Sequence, residues 1–262
     1  MGALFHPLVE AAQARPMSLR QTEAIVIKSY SLSEADRIVV FFTREFGLVR
    51  GVAKGAKRLQ SKFGSTLEPF STVNLEYFQK EERELVSIQS VDLVQSRFSI
   101  AADPDFLNAY SYIGDLLTDF ALPHDADEKL YRMIGACLSA GKSESDLRAV
   151  VLYFELWLLR LSGFLPDWSR CESCKNQIDP ANENFVVPGF HLQCSNCRRS
   201  YVLSTVRTAD LETFQSIQKM PPADFTVFAA SRNDSIDILS NVMKRLIAQA
   251  LGREVAGGAA LR

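Results

Sequence analysis

The spacing of apolar residues changes once along this chain, near Arg97, and that change limits the fold more than any other feature of the sequence. From residue 22 to 95 there are five short β-branched and aromatic runs, TEAIVIKSY, RIVVFFT, GLVRGVA, TVNLEYF and ELVSIQSV. Alternate residues share a face, Ile25 with Ile27 in the first run and Val73, Leu75 and Tyr77 in the fourth, which is the period of a strand. Turn-forming or charged breaks (LSEAD, TREFG, KGAKRLQSKFG, QKEER) separate the runs. Five strands in so short a segment predict a small closed barrel, because an open sheet of that size would expose two edges to pairing with other chains.

Beyond Arg97 apolar residues recur at three and four. Asp103-Pro104 supplies a cap and a proline at the first helical position, and Phe106, Ala109, Tyr110, Ile113, Leu117 and Phe120 follow as one face. A second helix is predicted over 126–139. A third starts around Ser145-Asp146, carries Leu147, Val150, Val151, Phe154, Trp157, Leu158 and Leu161, and stops at Gly163 and Pro166. A fourth is predicted over 208–219, and a fifth follows Asp234, with Ile236, Leu239, Val242, Met243, Leu246 and Ala250, to end at Gly252. Such stripes are the core faces of a helical bundle. The fold class is therefore α+β in several domains: an extension at 1–16 expected to be disordered, a barrel at 17–97, a helical domain in two parts at 98–168 and 205–252, an inserted module at 169–204, and a tail at 253–262.

The inserted module is polar, turn-rich and holds four of the five cysteines. Cys171-x-x-Cys174 and Cys194-x-x-Cys197 stand nineteen residues apart, within the spacing of a four-thiolate zinc site. Two thiolates on one tight knuckle take two corners of a tetrahedron, and a second knuckle brought back by a hairpin takes the others. With both pairs complete no coordination position stays open for water, so the predicted Zn2+ is structural, one per chain. Paired disulfides and a thioredoxin-like redox site are the competing readings; a reducing compartment opposes the first and the lack of a βαβ pattern the second. His191 is an alternative ligand, read as a hairpin-surface residue. Cys137, among Met133, Ile134 and Leu138, reads as a core thiol.

Catalytic patterns are missing from the sequence. The three histidines, His6, His124 and His191, stand in the contexts HPL, HDA and HLQ, which fit neither a metalloprotease nor a deaminase motif. Gly141-Lys142-Ser143 resembles the end of a phosphate-binding loop, but position 136 is alanine and the preceding residues are helix-patterned. The longest apolar stretch, 149–165, is interrupted by Glu155 and Arg160 and is shorter than the ~20 residues of a membrane span. The first sixteen residues lack the layout of a secretory signal. A cytoplasmic protein without membrane contact is expected.

The net charge is only −2, so any polyanion must be met by a local patch. From 44 to 62 there are six bases against Glu45 alone, whereas from 101 to 155 four bases face ten acids. The stretch RGVAKGAKRLQSKFG, 50–64, holds Arg50, Lys54, Lys57, Arg58 and Lys62 with glycines at 51, 55 and 64, the glycines being read as letting backbone approach a ligand. A solvated loop is the plain reading. On a small barrel the pattern also suits a cationic groove for single-stranded nucleic acid.

The order EADRIVVFFTREFGLVRGVAKGAKR, LEPFSTVNLEYF, SVDLVQSRF and then helices interrupted by CESC and CSNC resembles the RecO family of bacterial DNA repair proteins, which are recombination mediators. The resemblance runs from about Ser18 to Leu251, and Glu45 to Arg58 and Leu67 to Phe70 are its most specific parts. It implies an OB-type barrel, a helical domain and a zinc module without catalytic activity. It also implies binding of single- and double-stranded DNA, annealing of strands coated by single-strand-binding protein, and work with RecR, in some relatives RecF, to load RecA. Some relatives lack the cysteines; this chain keeps all four. On this view Arg50, Lys54, Lys57, Arg58 and Lys62 line a phosphate track, Arg37 and Arg44 add weakly, and Phe63 either stacks on a base or packs inside. The runner-up is a zinc-containing interaction scaffold whose basic loop meets an acidic partner.

Overall fold

The computed structural model describes residues 18–79, 84–98, 102–123, 125–141, 143–198 and 201–255. The expected disordered extension at 1–16, Lys142 and the tail from 256 onward lie outside them. Five strands, β1 (Ser18–Ser31), β2 (Arg37–Thr43), β3 (Gly47–Ala53), β4 (Thr72–Gln79) and β5 (Leu85–Gln95), close in the order β1-β2-β3-β5-β4. Every pair is antiparallel except β3 with β5, the arrangement of an OB-type barrel. The long β1 shifts register between Val26 and Lys28, and this bulge lets its first half pair with β4 and its second with β2. Closure explains Gly51. It pairs with Val86 across the parallel seam, where a Cβ would meet Ile88 Cγ1 at 2.7 Å and Val86 Cγ2 at 2.9 Å. This glycine serves β5, not the approach of a ligand.

Alternation along the strands builds two cores. Val26, Val39, Phe41, Val49, Val73, Leu75 and Tyr77 fill the barrel. Their outward neighbours Ile25, Ile27, Val40, Phe42 and Leu48 join a second core shared with the helices. Those helices are α1 (Pro104–Phe120), α2 (Glu128–Ala140), α3 (Glu144–Leu161), α4 (Thr208–Ile217), α5 (Pro222–Ala229) and α6 (Asn233–Leu251). The α1 start is capped as expected, with the Asp103 carboxylate accepting from the Asp105 N–H at 2.9 Å. The α3 cap is Ser143, two residues before the expected region, accepting from the Asp146 N–H at 3.3 Å. Helix α5 was not expected: its eight residues are mostly apolar all round and show no stripe.

Helix α3 is central, packed against α1, α2, α5 and α6. No helix among the described residues is long and apolar enough to cross a membrane. Between α3 and α4 the module folds as a three-stranded sheet, order β7-β6-β8, from β6 (Asn184–Val186), β7 (Leu192–Cys194) and β8 (Ser204–Val206).

The barrel and helices are locked together. Phe42 stacks on Tyr131 with centroids 6.1 Å apart, and α1 comes close at Gly114, where a Cβ would be 3.0 Å from Ile27 Cγ2. Lys28 pairs with Asp115, and Arg44 with Glu128 through Nε at 3.0 Å and Nη2 at 2.9 Å, so the acid-rich segment after Arg97 meets two barrel cations. Arg97 itself is buried. Its guanidinium donates to the Leu138 carbonyl at 2.8 Å, Ser139 Oγ at 3.0 Å and Gln95 Oε1 at 3.1 Å, a cation set against the carboxyl end of α2, where the helix dipole favours it.

Candidate nucleic-acid interface and metal centre

The connection from β3 to β4, residues 54–71, carries most of the local cations and is built as a chain of tight turns. Successive N–H groups of Ala56, Arg58, Ser61, Gly64, Thr66, Glu68 and Ser71 donate to carbonyls three residues back, at 2.9–3.4 Å. Gly55 and Gly64 take positive φ (71° and 49°), where a side chain would be strained. The loop is tied to the β1–β2 turn by Gly55 N–H to Asp36 Oδ1 at 2.8 Å and Lys57 N–H to the Ala35 carbonyl at 2.9 Å. Its specific motif, Leu67 to Phe70, staples both cores: Leu67 enters the barrel and Phe70 the helical core. Phe70 adopts φ 65°, a strain of about 1–2 kcal/mol. Burial of its ring against Tyr110, 5.5 Å between centroids, offsets it.

The cations differ in availability. Arg50, Lys54 and Arg58 are exposed and have no carboxylate partner among the described residues. Lys57, also exposed, donates to Ser31 Oγ at 2.8 Å and to the Ser33 carbonyl at 2.9 Å, which fixes its ammonium beside the end of β1. Lys62 contacts the Gln89 carbonyl and sits 5.0 Å over the Phe63 ring. Arg37, half-buried, reaches Ser29 Oγ at 3.5 Å at the same end of the β2–β3 hairpin, its register partner being Ala53. Arg44 is elsewhere. It lies at the opposite end of that hairpin, about 20 Å away at ~3.3 Å per residue, with its guanidinium committed to Glu128, whose carboxyl it holds below the usual range. Phe63 is 1% exposed inside the barrel, so it anchors the loop and cannot stack on a base. An exposed aromatic does stand at this end, Tyr30, at 50%; a lone tyrosine near a strand end gave the sequence reading no signal.

In the module the four cysteine sulfurs lie within 4.8 Å of one another, and Cys174 and Cys194 are 3.9 Å apart. Metal–sulfur bonds of ~2.3 Å set at tetrahedral corners put sulfurs ~3.8 Å apart. The donor chemistry fits as well as the distance. Burial opposes charge on Cys171, yet the amides of Cys174, Cys194 and Ser173 aimed at its sulfur bring the thiol down to about 6. Hydrogen bonds from the Cys194 and Cys174 side push Cys197 up to about 12. Four thiolates so close are stable only around a cation. His191 stands outside the set, its Nδ1 3.7 Å from Glu172 Oε2. Cys137 is fully buried in the helical core, where desolvation pushes its thiol up.

A closed OB-type barrel with an ordered cationic loop, backed by helices that carry a four-cysteine metal clasp, defines a multidomain protein with one face suited to a polyanion. Comparison with known proteins gives the family. The family model for the recombination protein O N-terminal domain matches residues 17–97, and that for the C-terminal domain matches 101–254. The chain is 32% identical over 207 residues to the DNA repair protein RecO of Koribacter versatilis, covering 79% of this chain and 83% of that one. It is 33% identical over 184 residues to the protein of that name from Geobacter metallireducens, covering 70% and 74%, and 26% over 234 residues to that of Syntrophotalea carbinolica, covering 89% and 90%. The chain belongs to the RecO family of DNA repair and recombination proteins.

Proposed function

We propose that this protein is a non-enzymatic recombination mediator that binds single- and double-stranded DNA through the barrel, anneals complementary strands and helps load RecA onto single strands coated by single-strand-binding protein. RecR and single-strand-binding protein are its expected partners, joined in some relatives by RecF, in the cytoplasm with the nucleoid. The phosphate track consists of Arg50, Lys54, Lys57, Arg58 and Lys62 with Arg37 at its edge, and the metal in the cysteine clasp is zinc. The work divides at about 97/98: the barrel meets DNA, and the helical domain with its module at 169–204 supports and presents it. Zinc here holds polar chain together; four thiolates saturate a tetrahedral ion and leave no position for an activated water. One observation carries the reading: Arg50 on β3 and Lys54 and Arg58 on the loop that follows it are presented to solvent from a backbone that is already ordered.

Phosphate contacts release counterions, so each one lost flattens the dependence of log affinity on log salt by ~0.7 for a single strand. Lys54→Glu combined with Arg58→Glu should lower the slope by ~1.4 and weaken binding at least about tenfold, nearly independent of base sequence. Fluorescence anisotropy at several salt concentrations reads both quantities. Unchanged slope and affinity in a folded double variant would reject the track and leave the loop to an acidic protein partner.

A further inference from the structure

The outer surface of β1, β2 and β3 is divided into rows by the strand register. Residues directly opposite share a face, so Ile25, Phe42 and Leu48 form one row, Lys28, Val40 and Arg50 the next, and Tyr30, Ile38 and Val52 the third. The first row is buried against the helices. The third is not: Tyr30 is 50% exposed, and Ile38 and Val52 are half-buried with no place in either core. Leu32, two residues after Tyr30, is 48% exposed, and Leu59, on the basic loop, is fully exposed.

This small apolar surface is bordered by positive charge. Arg50 lies in the row below, Lys54 comes two residues after Val52, just past the end of β3, and the Lys57 ammonium is held on Ser31, the residue after Tyr30. Of the acids at this end, the Asp36 carboxylate accepts the Gly55 N–H and Glu34 lies in the exposed turn. The barrel face made by β4, β5 and the first half of β1 has the opposite character, with Glu23, Glu76 and Asp92 on its outer side. A ligand fitting the first face has a flat apolar part and a repeating negative part close together. A single strand offers both, because its bases present their faces while its phosphates run alongside. A duplex offers only the second, its base faces being stacked on each other.

We propose that the surface formed by Tyr30, Ile38 and Val52 is a base-stacking platform, with Tyr30 as the stacking residue, that makes this barrel select unpaired DNA over duplex. The inference rests on the DNA-binding reading above and adds to it the source of strand preference. Stacking on an aromatic side chain contributes about 1–3 kcal/mol per base, so Tyr30→Ala weakens binding to an oligothymidylate by about 5- to 140-fold. The salt slope stays as in the wild type, because no phosphate contact is lost. Binding to a blunt duplex and to an abasic deoxyribose-phosphate strand stays unchanged. Tyr30→Phe retains affinity, and in Tyr30→Trp the indole fluorescence changes on addition of oligothymidylate and not of the duplex. Circular-dichroism melts check that the half-exposed position leaves the fold intact. Wild-type affinity of Tyr30→Ala for oligothymidylate, or equal weakening for strand and duplex, would overturn the platform while leaving the cation-dependent reading in place. Wild-type protein without salt-dependent affinity for any of these probes would overturn both.

Discussion

Glu155 offers a quantitative test of the helical core. It lies in the middle of α3, fully buried, with Oε1 accepting from the Tyr112 hydroxyl at 2.8 Å and Oε2 from the Ser240 hydroxyl at 3.3 Å. Burial pushes its carboxyl up to about 7, against the pull of Lys244 and the two hydroxyls. In the unfolded chain the same group titrates near ~4.3. The native state therefore binds this proton more tightly, and the stability it contributes is complete below about pH 4 and is lost as pH rises through 7. A gap of between two and three units, at ~1.36 kcal/mol each, amounts to roughly 3 kcal/mol. Glu155→Gln keeps an acceptor for Tyr112 and removes the titration. The variant should match wild type near pH ~4 and exceed it above pH ~8 by up to about 3 kcal/mol, or ~6–10 °C in Tm. Thermal melts of both proteins at the two pH values measure the difference. Parallel stability of wild type and variant across the range, or a variant weaker at the higher pH, would refute the argument and mean that Glu155 is ionised and held by Lys244.

Two further outcomes separate structural from DNA-facing charges and ligands. Arg44→Ala, which removes the exposed pair with Glu128, should leave the urea-unfolding midpoint nearly unchanged and leave the salt slope of DNA binding unchanged. Protein purified without added metal should contain about one zinc per chain by elemental analysis, and Cys171→Ser should lose it. Hydrogen exchange in that variant should then speed up across 170–206 while the barrel strands keep their protection; slow exchange in a metal-free module would refute the clasp.

The strands and the clasp were legible because each rests on a short-range rule, the period of two for the former and ligand spacing for the latter. The rule fails where its two faces are both buried. RIVVFFT reads as continuous because Val39 and Phe41 enter the barrel while Val40 and Phe42 meet the helices, so a strand count was available but not the second core. Single residues between elements carry no period at all. Phe63 could not be assigned to the interior, nor Tyr30 to the surface, without the closed sheet. Arg44 looked like its neighbours in the basic stretch because its partner, Glu128, is 84 residues away. Gly51 looked like a loop glycine because the residues that need its missing side chain, Val86 and Ile88, belong to a strand that arrives later and runs parallel.

The same construction bears on the DNA track proposed above, which would meet a polyanion with few cations on a near-neutral chain. Fixing the backbone of one residue costs about 1–2 kcal/mol, so a flexible connection of the length of 54–71 would lose much of its electrostatic gain in becoming ordered on DNA. Here folding has already imposed the order: the turns run in series, Phe63 and Leu67 are held in the barrel, and Phe70 is held in the helical core and by its N–H on the Val26 carbonyl at 2.7 Å. The apolar residues between the cations are therefore part of the proposed track. They convert a stretch that composition describes as a charged loop into a rigid edge of the barrel, with Lys54, Lys57 and Arg58 at fixed positions beside the β1–β3 face.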